Sequence, residues 1–325
     1  MSDTPFDVTG VGNAIVDVIT SIEESELVRL GLNKGTMTLI NDEQAAKLYQ
    51  TITNGVETSG GSAANTMAGI ASLGGQGAYF GKVTDDVLGR SFVEDLNKIG
   101  VIYPMRPAVE GPSTARCLVF VTPDAERTMQ TYLGVSIYLN VDDIDPETIG
   151  SSKITYLEGY LFDRDEAKEA FIKAAELAHF AGRKVALTLS DPFCVERHRK
   201  ECENLIASHV DILFANQDEI TGLFEVTSLE YAIGALGNSV EVAAITRGEK
   251  GSVIKMLDEV VEIPPAPVDK VVDTTGAGDL FAAGVLFGLT HGFDAPEAGR
   301  IGSLCAAEII SHYGARPIAV LSNLV

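Results

Sequence analysis

A short glycine-rich segment near the C-terminus combines an anion-binding backbone with a carboxylate. Gly276, Ala277 and Gly278 have little or no side chain. Their N–H groups can therefore converge on an anion where the chain enters the apolar helix predicted for Leu280 to Leu289. Asp279 lies in the first turn of that helix, where a carboxylate can accept a proton from a hydroxyl group. These residues predict a centre that transfers a phosphoryl group to an alcohol, although a helix start capped by aspartate would give the same pattern.

A second cluster of small residues lies in the N-terminal half of the chain. Gly60 and Gly61 are followed at once by an apolar helical stretch from Ser62 to Leu73. Glycines at this place let a ligand lie close to the backbone, and Asn65 offers both a donor and an acceptor to hydroxyl groups. The segment predicts a substrate pocket, and the alternative is close packing of a helix through small residues.

These two segments, in this order, resemble the two signatures of the ribokinase/PfkB carbohydrate kinase family, which includes the adenosine kinases. The resemblance covers nearly the whole chain. It implies that Asp279 is the catalytic base, that the glycine-rich segment before it binds the moving phosphoryl group, and that ATP and Mg²⁺ are required. Some members of the family are also activated by a monovalent cation such as K⁺, to which Asp273 and Thr275 of this chain could contribute oxygens.

Two further segments resemble the adenosine kinase branch of the family. Asn13 and Asp17 follow a predicted strand, Phe6 to Val11, so we expect them at the carboxyl edge of the sheet. There the resemblance implies that Asp17 binds ribose hydroxyls and that Asn13 holds a neighbouring hydroxyl. It also implies that Phe193, after another predicted strand, packs against the purine base. The alternatives are a capping pair and a core phenylalanine, and Ala14 departs from the proline common in animal adenosine kinases.

Three motifs predict the nucleotide side of the site. Asn216 and Glu219 share one face of a predicted helix start, and the family's matching Asn-x-x-Glu motif organises Mg²⁺ and the phosphates, usually through water. Thr246 and Gly248 lie in a predicted hairpin turn, and the resemblance implies that they bind the nucleotide. Arg127 matches a lid arginine that approaches the transferred phosphate in relatives. Each motif has a structural alternative: an acidic helix start, an ordinary turn and a solvent-facing arginine.

The elements that must position these residues alternate between strand and helix. Such alternation predicts βαβ units, a parallel sheet covered by helices on both faces, and ligands at the carboxyl ends of the strands. The family resemblance narrows this α/β class to a ribokinase-like three-layer α/β/α fold with a mostly parallel central sheet. The predicted strands are Phe6 to Val11, Gly77 to Val83, Ile154 to Leu157, Lys184 to Leu189, Ile212 to Ala215 and Val242 to Thr246, with an amphipathic helix at Asp165 to Phe180.

Two stretches break this alternation. Gly35 to Ile40 and Thr114 to Tyr132 contain β-rich runs separated by turn residues, with no helix between them. We interpret them as a small β lid, inserted within about residues 13–58 and 101–133 of a single domain that covers residues 1–325. The chain has no clean linker, low-complexity tract or internal repeat, so we do not divide it further.

The composition restricts the partners of the protein. Of its 325 residues, 46% are hydrophobic and 22% charged, and the formal net charge is −22. This charge argues against nucleic acids and anionic membranes, so small molecules are the expected partners. The four cysteines are widely spaced and predict neither a disulfide framework nor a zinc site. We expect a cytoplasmic protein, because the N-terminus has no signal-like segment, and the family includes both monomers and homodimers.

The function predicted from these residues is phosphorylation of the 5′-hydroxyl of adenosine by ATP, which gives AMP and ADP. A ribokinase-like sugar kinase acting on ribose, fructose or a related sugar is the first alternative, because it would use the same phosphate-binding residues. A nucleoside or nucleotide sensor without catalytic activity is the second alternative.

Overall fold

The computed structural model describes residues 5–124 and 126–325, which form an α/β fold with two β-sheets. None of the helices in these residues is long and apolar enough to cross a membrane. The strands, in chain order, are β1 (Phe6–Val11), β2 (Ile15–Ser21), β3 (Met37–Leu39), β4 (Val56–Gly60), β5 (Gly77–Phe80), β6 (Ala115–Val121), β7 (Arg127–Tyr132), β8 (Ser152–Glu158), β9 (Lys184–Thr188), β10 (Ile212–Asn216), β11 (Val242–Thr246), β12 (Ser252–Met256) and β13 (Glu259–Ile263). The helices are α1 (Glu24–Leu30), α2 (Asp42–Tyr49), α3 (Ser62–Ser72), α4 (Val87–Lys98), α5 (Pro146–Gly150), α6 (Asp165–Phe180), α7 (Pro192–His209), α8 (Gln217–Leu223), α9 (Leu229–Leu236), α10 (Ala277–Thr290) and α11 (Ala295–Ile309).

The larger sheet has eight strands in the order β13-β12-β11-β10-β9-β8-β1-β5. Neighbouring strands from β5 to β11 are parallel to each other. At the other edge, β12 pairs antiparallel with β11, and β13 pairs antiparallel with β12. The mostly parallel sheet is therefore confirmed, and so is the hairpin between β11 and β12. Parallel strands are buried on both faces, which is why their sequences are nearly continuous apolar runs and could be located from the sequence.

Helices cover both faces of this sheet, as the α/β/α prediction requires. Val8 of β1 belongs to one cluster of buried apolar side chains, together with residues of α3, α4, α10 and α11. Val11, on the opposite face of the same strand, belongs to a second cluster that includes residues of α5 to α9. The sheet thus separates two hydrophobic cores, which is the predicted three-layer α/β/α arrangement.

The smaller sheet is the predicted lid, with its five strands in the order β3-β7-β6-β2-β4. Strands β3, β6 and β7 lie in the two stretches predicted to be β-rich. Strands β2 and β4 were not predicted individually, because β2 follows β1 after only three residues and β4 is a short strand with a single large apolar residue, Val56. Together they make the lid a five-stranded sheet.

The two sheets meet at a crowded backbone junction. Gly61, the residue between β4 and α3, has φ +94°, and a Cβ at this position would collide with the carbonyl oxygen of Asn13. Only glycine combines this conformation with so close an approach. The junction fixes the start of α3 against the segment that joins β1 to β2, at the carboxyl edge of the large sheet.

Helix α10 is packed closely against its neighbours along one side. A Cβ on Gly284 would lie 2.6 Å from the Cα and N atoms of Gly302 in α11, and a Cβ on Gly69 in α3 would lie 2.5 Å from Cβ of Ala283. These contacts leave no room for side chains, so the position of α10 is fixed by backbone contact. Its N-terminus is directed to the lid side of the sheet, where Asp279 lies.

Candidate active site

Asp279 lies at the centre of the site, in the first turn of α10. Its carboxylate accepts hydrogen bonds from Ser62 Oγ (2.6 Å to Oδ1) and Asn65 Nδ2 (2.9 Å to Oδ2), both in the first turn of α3. Partial burial raises the pKa of Asp279, while these two donors and the positive charge of Arg316 oppose the rise. A carboxylate with raised basicity, held by neutral donors, is suited to accept a proton from an alcohol.

The backbone before Asp279 forms the expected anion-binding turn. Gly276 has φ +80° and precedes the first residue of α10, and Ala277 N donates to Thr274 O (3.2 Å). The N–H groups of the first turn of a helix have no intrahelical acceptor, and the helix dipole adds partial positive charge there. A cavity of about 380 Å³ adjoins Gly276, Ala277, Gly278 and Asp279, so an anion in it would meet these donors.

A second cavity, of about 450 Å³, continues from the first past β11 and α11. Thr246, Ala277 and Gly278 line both cavities, and Gly248 lines the second. The further lining of the second cavity is mostly aliphatic. This form suits a flat apolar base at the far end and a polyphosphate chain that leads to Asp279. The lining residues beyond α10 include Gly251, Pro265, Ala266, Val268, Val271, Ala306, Ala307 and Ile310.

Asn216 and Glu219 border the phosphate cavity and hold each other in a capping box. Asn216 Oδ1 accepts from Glu219 N (2.8 Å), and the Glu219 carboxylate accepts from Asn216 N (2.9 Å) and Nδ2 (2.6 Å). Burial raises the pKa of Glu219 to about 7, and the charge of Asp191 adds to the rise. Among the described residues no cluster of three or more His, Cys, Asp or Glu could hold a metal ion. A Mg²⁺ ion here would take most of its ligands from phosphates and water, which is the coordination it prefers.

A smaller cavity, of about 160 Å³, lies between the lid and the start of α3. Its polar lining includes Asp17, Asn65 and Arg316, and the lid adds an apolar wall. Burial raises the pKa of Asp17 to about 6, against the opposing charges of Arg316 and Arg127. Asn65 Oδ1 is buried without a hydrogen-bond partner in the described structure, so an acceptor is available beside the cavity. The apolar wall consists of Ile19, Val119 and Met129, with Cys117 beside it.

Asp17 reaches this cavity from the lid and not from the edge of the large sheet. It lies in the middle of β2, paired with Thr58 of β4 and Cys117 of β6. A Cβ on Gly60 would collide with the Asp17 carboxylate, so that glycine lets the side chain lie across the neighbouring strand. The lid therefore contributes the carboxylate that was expected to bind a diol.

Asn13 is 2% exposed, and its amide is used within the protein. Its Nδ2 donates to Glu158 Oε1 (3.1 Å), and its Oδ1 accepts from Ser136 Oγ (3.0 Å). Glu158 also accepts from Ala63 N (2.8 Å), and burial raises its pKa to about 7. Asn13 thus joins the β1–β2 segment to Glu158, and Glu158 fixes the first turn of α3.

Arg127, at the start of β7, is tied to the loop before the anion-binding turn. Its Nη2 lies 2.6 Å from Asp273 Oδ2, and its Nη1 donates to Thr275 Oγ1 (3.2 Å). Asp273 also accepts from Thr275 N and Gly314 N. The oxygens considered for a monovalent cation are thus engaged with protein donors, and the lid arginine connects the lid to the loop before α10 at the border of the acceptor cavity.

Phe193 lies apart from the other predicted residues. It occupies the first turn of α7 with 71% of its surface exposed, and it does not line either cavity beside Asp279. In the structure as described, its ring and the Asp17 carboxylate do not border a common cavity.

Three residues of the site were not selected from the sequence: Ser62, Glu158 and Arg316. Ser62 adjoins the Gly60-Gly61 pair, so its place in that motif was the only available signal. Glu158 ends a buried strand, where a carboxylate is unusual enough to draw attention. Arg316 follows α11 in a segment without a recognisable motif, and only the fold brings it to the acceptor cavity.

The chain is similar in sequence and in fold to known kinases. The family described as pfkB family carbohydrate kinase matches residues 34–320. The crystal structure of an adenosine kinase from Sinorhizobium meliloti is 46% identical, with a TM-score of 0.90 over 98% of each chain. That of a probable sugar kinase from Rhizobium etli is 43% identical, also with a TM-score of 0.90, over 99% of this chain and 98% of the other. An uncharacterized sugar kinase from Archaeoglobus fulgidus is 30% identical over 76% of this chain and 96% of its own.

Proposed function

Since the chain belongs to the pfkB family of carbohydrate kinases, we propose that it transfers the terminal phosphoryl group of ATP to the 5′-hydroxyl of adenosine. The reaction class, phosphoryl transfer to an alcohol, follows from the family. The identity of the alcohol is the proposed part, and the products would be AMP and ADP. The relatives include proteins described as adenosine kinases and as sugar kinases, so the family alone leaves the acceptor open.

The lining of the acceptor cavity carries the proposal. Asp17 is a single carboxylate suited to the 2′,3′-diol of a ribose, whereas Ile19, Val119 and Met129 present an apolar wall beside it on the same face of the lid. A purine base would cover this wall and remove it from water. A free sugar would leave the apolar wall uncovered, so its binding would gain nothing from burial of that wall. In this arrangement the base packs on the lid, and Phe193 is not needed for stacking.

In the proposed reaction Asp279 accepts the proton of the 5′-hydroxyl as the new bond to phosphorus forms. Ser62 and Asn65 hold the carboxylate in place, and the free Oδ1 of Asn65 accepts a hydrogen bond from the acceptor. The N–H groups of Gly276, Gly278 and Asp279 bind the equatorial oxygens of the phosphoryl group, and Ala277 N–H keeps its bond to Thr274 O. The reaction therefore takes place between the first turns of α3 and α10.

The nucleotide would lie along the two larger cavities, with its ribose and phosphates near Thr246 and Gly248. Asn216 and Glu219 would hold Mg²⁺ through water, and the ion would spread the charge of the phosphates during transfer. Arg127 would exchange Asp273 for the transferred phosphoryl group, since its guanidinium already lies at the border of the acceptor cavity. This exchange would couple closure of the lid to the arrival of both substrates.

A coupled ADP-release assay with adenosine, inosine, ribose and fructose tests the proposal. We expect adenosine to have the highest kcat/KM. Met129→Ala should lower kcat/KM for adenosine by about 10- to 100-fold, because it removes part of the apolar wall, and should change turnover of ribose little. Met256→Ala is the control, since Met256 ends β12 in the central sheet and lines none of the three cavities of the site. A higher kcat/KM for ribose or fructose than for adenosine refutes the acceptor assignment.

A sugar kinase is the second candidate, and the size of the acceptor cavity favours it. At about 160 Å³ the cavity is smaller than typical sites for drug-sized ligands, of roughly 300 Å³ or more, so a nucleoside requires the lid to move outward. The same panel separates the two acceptors. A sensor without activity would bind nucleoside or nucleotide and release no ADP with any acceptor.

A further inference from the structure

Arg316 is held rigidly against the start of α3 by three hydrogen bonds. Its Nε donates to Ser59 O (2.8 Å), its Nη2 to Ser59 Oγ (2.7 Å) and its Nη1 to Ala64 O (2.6 Å). All three acceptors are uncharged. The guanidinium therefore connects the end of strand β4 to the first turn of α3, and the Gly60-Gly61 turn lies between its contacts.

The same guanidinium borders the acceptor cavity, where carboxylates surround it. It lines the cavity together with Asp17, and Asp95 accepts hydrogen bonds from the N and Oγ atoms of Ser59, which Arg316 also contacts. Its positive charge acts on Asp17, Asp95 and Asp279. A partly buried cation without a carboxylate in direct contact is costly, so these carboxylates compensate it from a longer distance.

We infer that Arg316 is a positioning residue for the phosphoryl transfer, with two separable effects. Its planar fork fixes the turn from which Ser62 and Asn65 hold Asp279, and its charge keeps Asp279 and Asp17 ionised between the lid and α10. The first effect depends on geometry and the second on charge. The inference rests on the proposed role of Asp279 as the base.

The charge effect should be visible in the pH dependence of the reaction. An opposite charge nearby lowers the pKa of a carboxyl group by about 1–3 units, so its removal raises that pKa. Asp279 is active as a base only when ionised, and activity is lost as the pH falls through its pKa. Removing the charge of Arg316 should therefore move the acid limb of kcat/KM to higher pH. Asp279 also interacts electrostatically with four other titratable groups, namely Asp17, Tyr156, Glu158 and Tyr160.

The experiment compares pH profiles of kcat/KM for Arg316→Gln, Arg316→Lys and the wild type. Arg316→Gln should lower the rate and move the acid limb to higher pH, by up to about 1 unit, because the guanidinium is not in direct contact with Asp279. Arg316→Lys keeps the charge and loses the fork, so its rate should fall while its acid limb stays at the wild-type position. Arg300→Gln is the matched control: it removes the same charge from an exposed arginine on α11 and should leave the profile unchanged.

Two outcomes overturn the inference. One is an acid limb of Arg316→Gln that coincides with that of the wild type. The second outcome matters if Arg316→Gln does not fold, which the absence of a cooperative melting transition would show. In that case, an acid limb of the Arg316→Lys profile that is displaced upward by about 1 pH unit contradicts the charge effect. Failure of the base assignment gives a different result, since Asp279→Asn would then retain near-normal turnover.

Discussion

Asp279 is held by two neutral donors on a neighbouring helix, and among the described residues no Lys, Arg or His forms an ion pair with it. Asp279→Asn keeps the size of the side chain and removes its ability to accept the proton. We expect kcat to fall by about 10²- to 10⁴-fold, which is the usual contribution of general base catalysis, with little change in the affinity for ATP. Steady-state kinetics together with calorimetric titration of ATP measure the two quantities separately, and a loss of ATP affinity equal to the loss in kcat would contradict this assignment.

Asp17 combines a proposed role in binding with an unfavourable ionisation. Its pKa is about 6 in the folded protein because of burial, whereas an aspartate in an unfolded chain titrates near 4. A raised pKa means that the folded state binds the extra proton, so ionised Asp17 destabilises the fold above pH 6, and this effect disappears as the pH falls through about 4.

We therefore expect Asp17→Asn to raise the Tm by a few degrees at pH 8 and by less at pH 5. The same substitution should raise KM for the acceptor and leave KM for ATP unchanged. Thermal unfolding at the two pH values, followed by kinetics at pH 8, provides the measurement. A Tm gain that is larger at pH 5 than at pH 8 is the contrary result.

Site residues that belong to one continuous motif could be predicted from the sequence. Site residues that tertiary contacts bring in from distant parts of the chain could not. Asp279 and the glycines before it form one continuous motif, so their geometry could be predicted from spacing. Arg316 contacts Ser59 across 257 positions, and nothing in its own neighbourhood indicates that it lines a cavity. Asn13 shows the converse case, because its amide is at the expected place but bonds to Glu158, a partner that the local pattern does not contain.

At the scale of elements, the position of α10 depends on glycines that contact backbone on α11. Gly284→Ala places a Cβ 2.6 Å from Gly302, so α10 must shift, and its first turn carries Asp279. We expect a loss of stability of about 1–3 kcal/mol and a fall in kcat. Gly234→Ala in α9 is the matched control, since nothing lies within 4 Å of its added Cβ, and it should be neutral or slightly stabilising.

Chemical denaturation measures the stability of the two alanine variants, and steady-state kinetics measures their kcat. Equal effects of the two substitutions on stability and kcat would show that close backbone packing does not fix α10. The comparison is informative because both substitutions are the same chemical change within a helix.

The central elements could be predicted because burial on both faces leaves a continuous apolar run. Strands β1 and β11 and helix α6 have the predicted bounds, and the other central strands differ by one to three residues at their ends. The lid strands β2 and β4 lack this signal. β2 follows β1 after only three residues and Asp17 interrupts its apolar run, and β4 is short and mostly polar.

For the whole molecule, the small acceptor cavity and the Arg127–Asp273 ion pair imply that the lid must open for an acceptor to enter. Hydrogen exchange measures such opening in each strand. We expect adenosine to slow exchange in β6 and β7 and to leave β9 to β11 of the central sheet unchanged, whereas ATP alone should have little effect on the lid. In Asp17→Asn the same adenosine concentration should give weaker protection.

This prediction has a clear contrary outcome. Equal protection of the lid and the central sheet by adenosine would mean that the two sheets respond as one body. Protection by ATP alone would mean that the nucleotide, and not the acceptor, closes the lid.

The lid and the central sheet contribute to the site from separate stretches of the chain. All five lid strands precede residue 133, whereas Asn216, Thr246 and Asp279 follow it. A single crossover between two related genes, placed after β7, would therefore exchange the lid together with Ser62 and Asn65, while Asn216, Thr246, Asp279 and Arg316 are inherited from the other parent. Such an arrangement lets one ancestral catalyst give rise to enzymes for different alcohols, and it indicates where a laboratory chimera should be joined.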